Sequence, residues 1–207
     1  MEIKTINCGL LGTNCYILTE GTDAVVFDPD GEKDKIYSLL EGYDLRAVIL
    51  THGHFDHIGA VDDICRETGT DLYINVLDAE MLEDPHKNAS FLLPESNIIC
   101  TTPPKFFDGD NEMYFGDIHL SVLHTPGHTK GSSCFICGDI LISGDTLFRS
   151  GIGRTDLYGG NIHMLKESIQ KLAMLDRAAR IYPGHNESST LGDAVDIALK
   201  YLSFNID

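Results

Sequence analysis

Apolar positions along the chain come in short alternating or periodic stretches, each closed by glycine, proline or aspartate. Glu2–Cys8 and Asn14–Thr19 predict two strands joined through the Gly9–Gly12 turn region. Ala24–Phe27, after the turn Gly21-Thr22-Asp23, predicts a third. Asp28-Pro29-Asp30-Gly31 turns the chain and prepares a helix. Ile36, Leu39 and Leu40 then recur at helical spacing over Lys35–Glu41, with Gly42 as the stop. Arg46–Leu50 is an apolar run of strand length. Ile58–Thr68 predicts a helix with Ile58, Val61 and Ile64 on one side and Gly69 at its end, followed by a strand at Leu72–Asn75 and a short helix at Leu77–Glu83. From Asp84 to Asp110 no period survives. Pro85, Pro94, Pro103 and Pro104 break the segment, which reads as surface loops with short pieces of structure, suited to one wall of a substrate cleft.

The pattern then starts again. Ile118–Leu123 is a strand, and Cys134–Cys137 and Ile140–Ser143 form a hairpin across Gly138-Asp139. Leu165, Ile169 and Leu172 mark the apolar side of a helix over His163–Met174. Arg180–Tyr182 is a short strand. A last helix, Leu191–Phe204, follows the good N-cap types Ser188, Ser189 and Thr190. Strands followed by helices, twice over, predict two related halves, the first ending in the central loops and the second beginning near Glu112. Each half would be a mixed sheet with helices on one face, within a single α/β (α+β) domain over residues 1–207.

Composition narrows the class of partner. The 207 residues are 43% hydrophobic and 23% charged, ordinary for a soluble enzyme. The formal net charge of -17 repels phosphate backbones and anionic membranes, so neither nucleic acid nor a membrane is an expected partner. The N-terminal Met1–Ile6 has no charged region followed by an apolar run, and no stretch is long enough to span a bilayer, which points to the cytoplasm. The cysteines at 8, 15, 65, 100, 134 and 137 are scattered in apolar contexts and read as reduced, partly buried thiols. Cys134 and Cys137 form a CxxC, but strand alternation turns their sulfurs to opposite faces, against a shared metal or redox role.

The chemistry gathers at strand ends. Arg46–Leu50 runs into Thr51-His52-Gly53-His54-Phe55-Asp56-His57, three imidazoles and a carboxylate in six positions. These are ligand types for zinc and similar first-row metals. His128, Asp145 and His185 each follow a glycine, in Gly127-His128, Gly144-Asp145 and Gly184-His185. A glycine there lets the backbone turn sharply and lets a metal or substrate come close. His52, His54 and His128 would supply three nitrogen donors, and Asp56, His57 and His185 a second set. Asp145 could bridge them with its two oxygens. His124 precedes its turn and is expected to act through a hydrogen bond behind the donors. His86, His119 and His163 read as surface or local structural residues.

Together these motifs, in this order and over nearly the full chain, resemble the metallo-β-lactamase superfamily. The resemblance implies a four-layer αββα sandwich. It makes His52, His54 and His128 the ligands of one metal and Asp56, His57 and His185 those of a second, with Asp145 between them. Two divalent ions are implied, zinc first, with iron or manganese also accepting such donors. A hydroxide shared by the metals would attack a carbonyl, with Asp56 holding its proton. The sequence shows no further general acid, which favours leaving groups that depart unprotonated, such as thiolates, over amides.

A more local resemblance agrees. Gly144-Asp145-Thr146-Leu147-Phe148, Gly151-Ile152-Gly153-Arg154-Thr155-Asp156 and Pro183-Gly184-His185 with Ser189-Thr190-Leu191-Gly192 are similar to the glyoxalase II branch, closest to its short bacterial form. This implies a thioester hydrolase acting on hydroxyacylglutathiones, typically S-D-lactoylglutathione. Arg154 falls where the larger enzymes carry a lysine that contacts glutathione, and Asp156 where they carry a tyrosine, so both are candidate substrate-binding positions. The bland reading of Arg154 is a surface arginine paired with Asp156. The larger enzymes' C-terminal helical region has no counterpart after the one helix that follows His185. The competing activity is that of a persulfide dioxygenase, which shares the Gly-Arg-Thr-Asp stretch and keeps the same donors but uses one iron on the equivalents of His52, His128 and Asp145. A lactonase, another metallo-hydrolase, or a non-catalytic metal-binding scaffold stand behind these.

Overall fold

Runs such as Ala24-Val25-Val26-Phe27 and Ala47-Val48-Ile49-Leu50 carry no polar face, and the fold shows why: both faces of these strands are covered. The computed structural model describes residues 1–93 and 97–205. Its first half contains β1 (Glu2–Cys8), β2 (Thr13–Glu20), β3 (Asp23–Phe27), α1 (Lys33–Leu40), β4 (Asp44–Ile49), α2 (Val61–Thr68), β5 (Leu72–Asn75) and β6 (Pro104–Phe107). The second half contains β7 (Asn111–Phe115), β8 (Ile118–His124), β9 (Ser133–Cys137), β10 (Ile140–Gly144), the two-residue strands β11 (Leu147–Phe148) and β12 (Gly151–Ile152), α3 (Ile162–Leu172), β13 (Arg180–Pro183), β14 (Ser189–Thr190) and α4 (Leu191–Asn205). Two six-stranded sheets result, ordered β1-β2-β3-β4-β5-β6 and β14-β13-β10-β9-β8-β7. In the first, β3 through β6 run parallel; in the second, only β10 and β13 do.

Side-chain alternation divides the buried residues into three cores between four layers. Tyr16, Leu18, Val25, Phe27 and Ile49 face Phe115, Leu120, Val122, Phe135 and Ile142 between the two sheets. The opposite faces of β2, β3 and β4, through Ile17, Val26 and Val48, pack on Ile36 of α1 and Val61 and Ile64 of α2. Leu141 and Ile181 pack on Ile169 and Leu172 of α3 and Ala194, Val195 and Leu202 of α4. This is the expected αββα sandwich. The two sulfurs of the CxxC part as alternation requires, Cys134 toward the helices and Cys137 between the sheets. All six cysteines are free and buried.

The segment read as irregular is the main correction. It contains β6, an edge strand parallel to β5. Pro103 and Pro104 mask it in the sequence, yet an edge strand tolerates proline because one side needs no ladder hydrogen bond. Strand β7, unassigned from the sequence, buries Met113 and Phe115 and exposes Glu112 and Tyr114. Leu77–Glu83 is a 3₁₀ turn at Val76–Met81, capped by Asn75, whose side chain accepts from the Leu77 amide. The helix expected from Ile58 begins at Val61, because a 3₁₀ turn at Phe55–His57 takes up the metal motif first. Pro94 lies outside the described residues.

Candidate metal centre

The polar clusters lie where strands end. Thr51 to His57 follow β4, His128 lies between β8 and β9, Asp145 follows β10 and His185 follows β13. The Ser133 amide donates to the Thr51 carbonyl at 3.0 Å, joining the two halves beside the site. All seven predicted donors come together. The donor atoms of His52, His54 and His128 lie within 4.8 Å of one another, as do those of Asp56, His57 and His185 and those of His52, His57 and Asp145.

Hydrogen bonds behind the rings place the lone pairs. His128 Nδ1 donates to the Arg154 carbonyl at 2.8 Å, so its Nε2 is bare. His52 Nδ1 faces the Thr51 hydroxyl at 3.1 Å, and that hydroxyl donates onward to Asp28 at 2.7 Å, so His52 Nε2 is bare as well. The two bare nitrogens face each other at 3.2 Å, with His54 Nδ1 2.9 Å from His128 Nε2. Two facing acceptors cannot satisfy each other; a cation between them can. Burial and the neighbouring imidazoles push His52 and His54 well below the usual histidine range, which keeps these nitrogens unprotonated.

In the second cluster His185 Nε2 lies 3.2 Å and His57 Nε2 3.8 Å from Asp56 Oδ2. Asp145 spans both groups, with Oδ1 3.6 Å from His57 Nε2 and Oδ2 3.6 Å from the Nε2 atoms of His128 and His185. His57 Nε2 and Asp145 Oδ1 are buried with no hydrogen-bond partner. Orphaned nitrogen and oxygen donors of this kind are what a divalent cation satisfies, so the residues fit a pair of metal ions. Burial alone would raise Asp56, but His57, His185 and His54 outweigh it and hold the carboxylate well below its ordinary range.

Two buried aspartates hold this arrangement, and neither role is visible in the local sequence. Asp28 accepts from the Thr51 amide at 2.8 Å as well as from its hydroxyl, and its Oδ2 lies 3.0 Å from His57 Nδ1, close but off the line of a straight hydrogen bond. Asp78 accepts from the Gly53 amide (3.1 Å), the Gly131 amide (2.7 Å) and the Thr129 hydroxyl (2.6 Å), tying the His52–His57 loop to the His128 loop. Asp28 reads as part of a turn and Asp78 as part of a short helix; only folding turns them toward the candidate donors. Gly127 and Gly144, at φ of 136° and 48°, turn the backbone as expected, and Gly184 serves differently. Gly184 makes room for protein rather than for a ligand: a Cβ there would stand 2.1 Å from Asp145 Oδ1 and 2.9 Å from His57 Cε1.

His124 does not touch the donors. Its Nε2 meets the Lys130 carbonyl at 2.8 Å, closing the loop that carries His128. His86 stacks on Phe91 and His119 meets Glu112, both local roles. A cavity of about 290 Å³ opens over the centre. Its lining combines the polar His54, Asp56, His128, Asp145, His185 and Arg154 with the apolar Leu11, Phe55, Ala89, Leu92, Leu93 and Leu157. Two larger, more open hollows, of about 470 and 490 Å³, flank Arg149 and Ser150–Asp156 and do not include the histidine donors. Arg154 reaches the cavity, but its guanidinium is bound by both oxygens of Asp156, at 2.7 and 2.8 Å, so the pair forms whatever else it does. No described helix is long and apolar enough to cross a membrane.

Known proteins share this architecture. The chain is 37% identical over 190 residues to a probable metallo-hydrolase of Bacillus subtilis, YqgX, covering 89% of this chain and 90% of that one. It is 33% identical over 201 residues to the hydroxyacylglutathione hydrolase GloC of Haemophilus influenzae, covering 93% and 94%. Among solved structures, the BLEG-1 B3 metallo-β-lactamase superposes with a TM-score of 0.88 at 35% identity, covering 94% and 97%. TTHA1623, in a di-iron-bound form, gives 0.79 at 33%, covering 92% and 96%. The family description of the metallo-β-lactamase superfamily matches residues 8–185, a span that includes every donor described above. The chain belongs to the metallo-β-lactamase superfamily.

Proposed function

We propose that the protein is a metal-dependent thioester hydrolase of the glyoxalase II-like kind, with S-D-lactoylglutathione as the reference substrate. His52, His54 and His128 would hold one divalent ion, Asp56, His57 and His185 a second, and Asp145 both. When bound, such a pair supplies Lewis acidity toward a carbonyl oxygen and an acidified water as nucleophile. The chain's own residues do the rest. Asp56 stays ionised among its imidazoles and accepts the proton of the attacking water; the Thr13 hydroxyl, 3.4 Å from its Oδ2, steadies it.

The observation that carries the reading is the lining of the cavity. Among the described residues its titratable groups are the five candidate metal donors and Arg154, and no described residue lining it is a free proton donor. An amide nitrogen would need one. A thiolate, whose conjugate acid has a pKa of about 8.5, leaves without it. The identity to GloC supports the same chemistry.

The test is thiol release from S-D-lactoylglutathione by protein loaded with two equivalents of zinc, iron or manganese. Asp56→Ala should abolish turnover while the protein stays folded by circular dichroism. Absence of thioester cleavage with both positions filled would refute the reading. Oxygen uptake with glutathione persulfide at one iron per chain would replace it with the dioxygenase, and cleavage of a penicillin alone with a lactamase.

A further inference from the structure

Separate loops carry leucines to the mouth of the donor cavity. Leu11 comes from the turn between β1 and β2, Leu92 and Leu93 from the segment at the 3₁₀ turn Ser90–Leu92, and Leu157 from the loop after β12. Leu11 and Leu92 are 51% and 52% exposed. Single exposed leucines are ordinary, but several converging on one rim beside reactive groups mark a binding surface.

The platform under Leu92 is firmly built. The Phe55 amide, inside the metal motif, donates to the Asn88 carbonyl at 3.0 Å. The buried Asn88 side chain donates to the Ile98 carbonyl at 2.8 Å and accepts from the Ser90 amide at 2.9 Å. Between them Ala89 is held at a φ of 69°, left-handed backbone that a residue with a Cβ adopts only when its surroundings compel it. The segment that aims Leu92 is thus fixed to the metal motif itself. Among the described residues lining the cavity, Arg154 is the one lysine or arginine, and it is already engaged by Asp156.

We propose that this wall is an acyl-chain subsite, so that thioesters of unsubstituted apolar acids are better substrates than short hydroxylated ones. The proposal rests on the thioester reading above. Of the two halves of such a substrate, water-soluble thiol carriers are polar or charged. A leucine wall beside a neutralised arginine offers them little, while it removes the methylenes of an acyl chain from water. A cavity of about 290 Å³, against about 30 Å³ for a water molecule in the liquid, has room for several carbons beside the reacting carbonyl.

The experiment compares acetyl, butanoyl and hexanoyl thioesters of N-acetylcysteamine, a neutral thiol that keeps the carrier constant, on the metal-loaded protein. In parallel, calorimetry measures binding of the matching S-alkyl thioethers, which cannot be cleaved. Both kcat/KM and affinity should rise about two- to four-fold per methylene, four-fold being the limit of full burial. Leu92→Ser and Leu11→Ser should each flatten the rise, and Met174→Ser, at a distant exposed position, should keep it. A flat series in both readouts overturns the subsite even if every thioester is cleaved. A chain-length dependence in binding without any cleavage upholds the subsite and overturns the hydrolase reading alone. Equal flattening by Met174→Ser overturns the assignment to this wall.

Discussion

Replacing Asp28 by asparagine changes neither the shape of the side chain nor its tolerance for the left-handed backbone at this position, where φ is 51°. It changes which atoms can accept. In the native protein Oδ1 accepts from the Thr51 amide and Oδ2 from the Thr51 hydroxyl, with His57 Nδ1 3.0 Å from Oδ2. If the amide oxygen of the variant stays on the Thr51 amide, its NH₂ faces the hydroxyl and His57 Nδ1. His57 then carries its proton on Nε2, the atom that faces Asp56 and Asp145. If the amide turns over, NH₂ meets N–H. One buried charge-assisted hydrogen bond is lost either way, at a cost of about 1.5–3 kcal/mol. In a chain of this length that lowers the melting temperature of the metal-free protein by roughly 3–12 °C. Metal affinity should fall by about 10- to 100-fold, as it does when a carboxylate behind a histidine ligand is lost. The loss should be larger for the Asp56/His57/His185 cluster than for the His52/His54/His128 cluster. Chelator competition resolves the two steps, and thermal unfolding at pH 7 gives the stability. An Asp28→Asn protein that binds two equivalents with unchanged affinities and melts within about 1 °C of the parent would refute this account of the site.

Other expectations follow from the same geometry. Burial alone would lower the pKa of His57, but Asp28, Asp56 and Asp145 outweigh it and raise it to about 10. A raised folded-state value stabilises fully below the unfolded histidine range, near 6.5, and the contribution is lost as pH rises through about 10. The metal-free protein should therefore lose melting temperature between these limits, and the metal-loaded protein should lose much less; equal slopes would count against a metal on His57. Asp156→Ala frees the Arg154 guanidinium from an exposed pair worth about 1 kcal/mol or less, so KM for anionic glutathione thioesters should drop by up to about five-fold while N-acetylcysteamine thioesters are unaffected. An unchanged KM would leave Arg154 no part in binding. Gly184→Ala puts a methyl group 2.1 Å from Asp145 Oδ1, so metal stoichiometry should fall toward one per chain, with destabilisation of about 1–3 kcal/mol; retention of two tight equivalents would show that β13 can yield.

Much of this protein is written in local sequence. Strands buried on both faces announce themselves as unbroken apolar runs, and helices as residues at 3.6 spacing, because local geometry alone sets those periods. The candidate donors were legible for a similar reason: His52, His54, Asp56 and His57 crowd one strand end, and the rest follow glycines after strands. Edge strands were harder to see. In β6 the prolines imitate a loop, and what makes it a strand is β5 alongside, a partner about thirty residues earlier. Asp28 and Asp78 were beyond local reading altogether. Nothing near them in the chain distinguishes a buried carboxylate that locks a metal loop from one that begins a helix; that depends on Thr51, His57, Gly53 and Gly131 arriving from other elements. The same holds for the leucines at 11, 92 and 157, unremarkable where they stand in the chain and a wall only once three loops meet. Sequence determined the elements and the donor types, because propensity and ligand chemistry are properties of single residues. Tertiary structure decided their tautomers, their supports and the wall beside them, because those are properties of pairs that the chain keeps far apart.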